Sequence, residues 1–125
     1  NFDQLFNFFS NYKEFFILPK QLPEVKTNWL AFPLTIKHDS SFTRKDITTY
    51  LEKNNIQTRP VFTGCILRQP AFEHLIEHTG QHPDHFPVAN EVMHRGFLIG
   101  CHHGLNEAQM NHLVQTLESF LSKYK

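Results

Sequence analysis

From Asn106 to Tyr124 one apolar stripe keeps a helical period: Met110, Leu113, Val114, Leu117, Phe120, Leu121 and Tyr124 all fall on one face. A helix of that kind must bury the stripe against a second layer, and this requirement limits the chain to layered architectures. The identity of the second layer follows from a change of period upstream. Leu30, Phe32, Leu34 and Ile36 alternate with Ala31, Pro33, Thr35 and Lys37, the period-two signature of a strand with one buried face. Pro33 cannot donate a ladder hydrogen bond, so it predicts either an edge position or a bulge.

Between these two anchors the signals keep alternating. Phe2 opens a helical pattern through Leu5, Phe6, Phe9, Tyr12 and Phe16, which stops at Pro19 and Pro23. Thr43 with Asp46 approximates a capping box for a helix carrying Ile47, Tyr50 and Leu51 and ending near Asn54. Ile56 to Phe62 reads as extended, and Pro70-Ala71-Phe72 opens a short helix with Leu75 and Ile76. Pro87 suits a first helical position, Gly96 suits a left-handed helix cap, and Phe97 to Cys101 is a brief apolar strand. Asn106 with Gln109 starts the last helix. The expected fold is therefore α+β and two-layered: a small, mostly antiparallel sheet with helices packed on one face. Residues 1–17 form an N-terminal helix, 18–28 a linker and 29–125 the α+β core of a single domain.

A chain of 125 residues can bury such a core without metal or disulfide support. Twelve basic and twelve acidic side chains cancel, which leaves no global field to gather nucleic acid or an anionic membrane. No apolar run is long enough to span a bilayer, and no secretory pattern opens the chain. Cys65 and Cys101 form no C-x-x-C motif and read as reduced thiols, so a cytoplasmic setting is expected. The chain begins in the middle of a Phe-rich run, as expected for a fragment of a longer protein. Thirteen phenylalanines, several of them among Phe2, Phe6, Phe8, Phe9, Phe15 and Phe16, leave two readings of the first helix open. It covers its own sheet, or it packs on a partner.

Function is expected on the segment from Asn55 to Phe72, N-I-Q-T-R-P-V-F-T-G-C-I-L-R-Q-P-A-F. Pro60 fixes its own φ and pushes Arg59 towards an extended conformation, so Arg59 is presented instead of packed. Arg59 and Arg68 flank a loop that contains Gly64, and a guanidinium offers a planar fork for phosphate or carboxylate. The bland alternative is a surface ion pair, for example Arg68 with Glu73. Nine histidines invite a metal reading, since His74 and His78 lie four apart and Cys101-His102-His103 are contiguous. No recurring ligand spacing supports it, and no metal ligands are assigned. Nor is a G-x-S-x-G element, a Rossmann pattern or a P-loop present.

The same segment carries a family resemblance, together with F-P-V-A-N-E-V-M-H-R-G-F-L-I-G-C-H-H-G-L-N (Phe86 to Asn106) and W-L-A-F-P-L-T-I-K (Trp29 to Lys37). In order and spacing these blocks resemble the C-terminal small domain of the DegT-type sugar-nucleotide aminotransferases, and within them the CDP-4-keto-6-deoxyglucose 3-dehydrase branch. Thr58, Arg59, Phe62, Gly64, Arg68, Gln69 and Pro70 match the branch pattern. Cys65 stands where the branch has Asn, and His102-His103 stand where an aromatic residue and Pro precede G-L. The resemblance implies an aspartate-aminotransferase-like small domain in a pyridoxal-phosphate enzyme of lipopolysaccharide deoxysugar synthesis. Dehydration at C3 is preferred, with amino transfer as the alternative.

It further implies a nucleotide-linked deoxysugar substrate, a large cofactor-binding domain in the same chain and a homodimeric parent. Arg59, Phe62, Gly64 and Arg68 would bind substrate. No catalytic or cofactor-binding residue is assigned to this chain, and alone it should be inactive. Two rivals from other classes stay open: a non-enzymatic α+β module that binds a partner through its Phe-rich first helix, and a free-standing metal-binding domain.

Overall fold

The period-two segments pair as a sheet that is antiparallel throughout. In the computed structural model, which describes residues 1–125, β1 (Phe16–Ile17), β2 (Ala31–Ile36), β3 (Thr58–Pro60) and β4 (Gly96–Gly100) lie in the order β1-β2-β4-β3. Register sorts the side chains. Phe32 opposite Ile99 and Leu34 opposite Phe97 put large apolar groups on one face, joined by Ile36 opposite Phe16. On the other face Pro33 lies opposite Leu98, which lies opposite Arg59.

Five α-helices complete the fold: α1 (Phe2–Phe9), α2 (Arg44–Lys53), α3 (His74–Thr79), α4 (Pro87–Arg95) and α5 (Glu107–Leu121). A core cluster of 19 buried residues joins the inner sheet face to Leu5 and Phe9 of α1, Ile47 and Leu51 of α2, and the stripe of α5. Neither α3 nor α4 contributes a buried residue. The architecture is α+β with an open four-stranded sheet, and both capping boxes read from the sequence are present. Thr43 and Asp46 exchange bonds at the start of α2, and Asn106 and Gln109 do so at the start of α5.

Pro33 lies past the two-residue β1, where β2 has only β4 beside it, so its missing N–H costs no bond on the open side. Three sequence expectations are corrected. The helix expected over residues 1–17 ends at Phe9, continues as one 3₁₀ turn over Ser10–Tyr12, and gives way to β1. Aromatic and β-branched residues are indifferent helix formers, and Phe16 and Ile17 gain sheet partners in Ile36 and Thr35. Leu30 is 71% exposed and not part of the buried face, because β2 begins one residue later. Gly96 does not cap α4 in the left-handed region: its φ of −82° is extended, and it opens β4. Its missing side chain serves close approach, since a Cβ there would stand 2.6 Å from the Val92 carbonyl oxygen.

The first helix covers its own sheet. Phe9 is fully buried against Phe32, ring centroids 5.5 Å apart, and Phe2 stacks on Trp29 at 4.3 Å. Leu5 and Phe9 of the first helix are therefore core residues, while Phe2, Phe6 and Phe8 pack against the core and stay partly exposed.

Candidate functional site

Arg59 owes its position to both of its neighbours in sequence. After α2, Asn55 takes a left-handed turn with φ 59°, a conformation Asn tolerates better than most residues. The Glu52 carboxylate in the last turn of α2 then accepts the Thr58 backbone N–H at 2.5 Å and its hydroxyl at 2.9 Å. These two bonds, the backbone one first, hold the Glu52 pKa below the ordinary carboxylate value, and the Arg59 charge adds a smaller effect in the same direction. Pro60 closes the strand. Arg59 is exposed, lies opposite Leu98 in β4, and enters none of the ion pairs of the molecule.

Arg59 lines a groove of about 660 Å³ between the open end of the sheet and the start of α5. Leu30, Ile56, Leu98, Leu105 and Leu113 give it apolar walls. Its polar groups are Arg59, Asn55, Gln57, His102, Asn106, Gln109 and His112, and neither an acidic residue nor a lysine lines it. Apolar walls with a few convergent donors and no carboxylate suit a ligand that combines apolar surface with acceptor oxygens or negative charge.

The other expected site residues go elsewhere. Phe62, Gly64 and Arg68 do not line this groove. Phe62 stands at the tip of the following loop, 89% exposed, with φ 42°. A bulky residue held at positive φ costs on the order of 1–2 kcal/mol, and such strain concentrates at functional loops. Gly64, φ 61°, lies so close to α4 that a Cβ would come within 2.3 Å of the Met93 Cβ. It is needed for packing as well as for backbone freedom.

Arg68 donates from Nε to Asn90 Oδ1 at 2.6 Å and from Nη2 to Asp84 Oδ1 at 2.9 Å, so its partner is Asp84 and not Glu73. Gln69 Nε2 donates to the Thr63 carbonyl at 2.9 Å. Arg68 and Gln69 thus brace the loop, whereas Arg59 enters no ion pair.

Cys65 and Cys101 are buried and unpaired, and burial pushes the Cys101 thiol up, against thiolate chemistry. The histidines do not converge in a group of three potential metal ligands. His82 and His85 cap their own turn, and the His112 Nε2 lies 2.8 Å from the Asn54 carbonyl oxygen. The expectation from sequence reached Arg59 but missed His102, Gln57 and Gln109 as groove residues. For His102 the signal was Gly104 two positions later, whose missing side chain leaves room for the ring; Gln57 and Gln109 carry no comparable mark.

A sequence model of the DegT/DnrJ/EryC1/StrS aminotransferase family matches residues 2–118. The chain is 32% identical over 107 residues to the dTDP-4-dehydro-2,6-dideoxy-D-glucose 3-dehydratase of Saccharopolyspora spinosa, covering 86% of this chain and 22% of that protein. It is 28% identical over 121 residues to the lipopolysaccharide biosynthesis protein RfbH of Salmonella typhimurium, covering 96% and 27%. Among solved structures, an aminotransferase from Psychrobacter cryohalolentis superposes with a TM-score of 0.80 at 11% identity, over 98% of this chain and 33% of the other. The Escherichia coli GDP-4-keto-6-deoxy-D-mannose-3-dehydratase with bound hydrated PLP gives 0.69 at 19%, over 92% and 29%. The chain therefore spans a third or less of each of these proteins, and the two structural matches speak to the fold.

Proposed function

The chain belongs to the DegT/DnrJ/EryC1/StrS aminotransferase family, and from that premise we propose that it is the substrate-gripping C-terminal part of a pyridoxal-phosphate enzyme acting on a nucleotide-linked deoxysugar. The preferred reaction is dehydration at C3, as in a CDP-4-keto-6-deoxyglucose 3-dehydrase, and the setting is cytoplasmic lipopolysaccharide synthesis. The names of the 3-dehydratase and of RfbH support this reading. Amino transfer is the second reading, favoured by the family description and by the aminotransferase fold neighbour. No helix is long and apolar enough to cross a membrane.

The observation that carries the proposal is a guanidinium without a carboxylate partner beside a groove without an acid. In an apolar-walled groove that charge is available to an anionic ligand, and the planar fork of Arg59 suits a diphosphate or a carboxylate. The residues present do not fit the cofactor itself. A bound pyridoxal ring takes a carboxylate at its nitrogen, and the groove, although it holds His102 and His112, has no Asp or Glu to supply one. Pyridoxal phosphate serves as an electron sink where it is held, and its cradle is assigned to the large domain of the parent chain.

What this chain contributes is positioning. Arg59 holds the charge of the ligand, Leu98 and Leu30 exclude water, and Phe62, exposed on its braced loop, supplies a wall that the large domain or a second subunit of a dimer would complete. Arg68 contributes by fixing that loop. Replacing Arg59 with Ala in the full-length enzyme should lower kcat/KM for the nucleotide sugar about 10–100-fold, the range of a lost hydrogen bond to a charged group. Steady-state kinetics at fixed ionic strength read this directly. Unchanged kcat and KM would remove the clamp.

A further inference from the structure

His102 stands two residues past β4 and lines the groove together with Arg59. Its ring is held in one pose, because Nδ1 lies 3.1 Å from the backbone nitrogen of Gly104 and accepts its N–H. A backbone amide only donates, so Nδ1 is unprotonated and the neutral ring keeps its proton on Nε2. That Nε2–H is not used by any group of the protein, since the bond to Gly104 is the one the ring makes. Gly104 lets the ring sit there: a Cβ would stand 3.0 Å from Nδ1 and 3.1 Å from Cε1. The groove's other imidazole differs, for the His112 Nε2 is taken by the Asn54 carbonyl. Gln109 is half-committed in the same way, its Oε1 accepting the Asn106 N–H at 3.0 Å and its amide hydrogens remaining.

Resting on the nucleotide-sugar reading above, we propose that His102 is a second ligand-binding residue of this groove. Its Nε2–H donates to one uncharged oxygen, a hydroxyl or keto group of the sugar, while Arg59 takes the ligand's charge. A single neutral donor fits a single neutral acceptor; a phosphate would draw the two-pronged, charged donor instead. The absence of any carboxylate from the groove leaves this N–H without an internal competitor.

The test uses the full-length parent enzyme and the tighter-binding of dTDP-glucose and CDP-glucose, by calorimetric titration. In His102→Asn the shorter amide can still accept the Gly104 N–H but does not reach the groove, so the dissociation constant should rise about 3–10-fold at an unchanged melting temperature. His102→Gln places an amide donor near the Nε2 position and should stay within about twofold of the parent. Gly104→Ala, whose methyl would crowd the ring at 3.0 Å, should weaken binding by less than His102→Asn, with no further loss when the two are combined. Should His102→Asn fail to fold, His102→Ala, which also removes the donor, carries the same comparison. If Arg59→Ala weakens binding while all His102 and Gly104 variants bind like the parent, the inference is overturned and the reading of the groove stands. Equal losses in His102→Asn and His102→Gln also overturn it, because the donor would not be what matters. If neither probe binds the parent, or Arg59→Ala changes nothing, the reading falls and this inference falls with it.

Discussion

At the scale of single residues, glycines and arginines that look alike in the sequence part company in the fold. Gly64 and Gly96 are both needed for close approach, but only Gly64 also needs a positive φ. Gly64→Ala would drive a methyl into Met93 and strain the backbone, and it should destabilise the fold by about 1–3 kcal/mol. Chemical denaturation would show this as a lower midpoint at an unchanged slope. Arg68 is tied to Asp84 and Asn90, whereas Arg59 is free. The identity of these two side chains was legible, and so was the stiffness that Pro60 gives Arg59. Which of them would find an acid depended on where the turn carrying Asp84 came to lie, and no local pattern reports that.

At the scale of elements, α2 sets β3 through Glu52, and this coupling depends on pH. The Glu52 carboxyl has a folded pKa below its ordinary value, held there first by the Thr58 backbone N–H and then by its hydroxyl. Asp46 at the other end of α2 is lowered likewise by the Thr43 side chain and backbone. A group whose pKa is depressed by folding contributes stability above its unfolded pKa and loses it as pH falls through the folded value. The fold should therefore weaken on the acid side of the ordinary carboxylate range. Glu52→Gln should flatten part of that acid limb, seen as a smaller drop in melting temperature between neutral and acidic buffer. An acid limb identical to that of the parent would show that Thr58 does not depend on the charge. The helix starts were readable because capping boxes are local chemistry; the end of α1 was not, because Phe16 and Ile17 chose a sheet partner twenty residues away.

At the scale of the whole molecule, one aromatic-rich core joins α1, α2 and α5 to the inner sheet face, and the groove lies at the sheet's open end. That core buries Phe9, Phe15, Phe16, Phe32, Phe42, Phe97 and Phe120 and packs Phe2, Phe6 and Phe8 against them. Phe62, Phe86 and Val88 stay exposed, and on the function proposed above the large domain of a longer chain would cover them. The chain taken alone should develop no visible absorption band with pyridoxal phosphate and should turn over no nucleotide sugar. A band, with borohydride-trappable cofactor on this chain, would relocate the cofactor site and overturn the division of labour proposed here.

The amino-acid sequence by itself determined the α+β class, the caps of α2 and α5, the inward face of β2 and the presentation of Arg59, because each rests on periodicity or on chemistry within a few residues. Only the tertiary structure decided that Leu30 faces a groove, that Asp84 takes Arg68, that Gly96 is a packing glycine and that His102 lines the same groove as Arg59. These are contacts between segments far apart in the chain, and the energies that select them are those of packing and desolvation in the assembled fold.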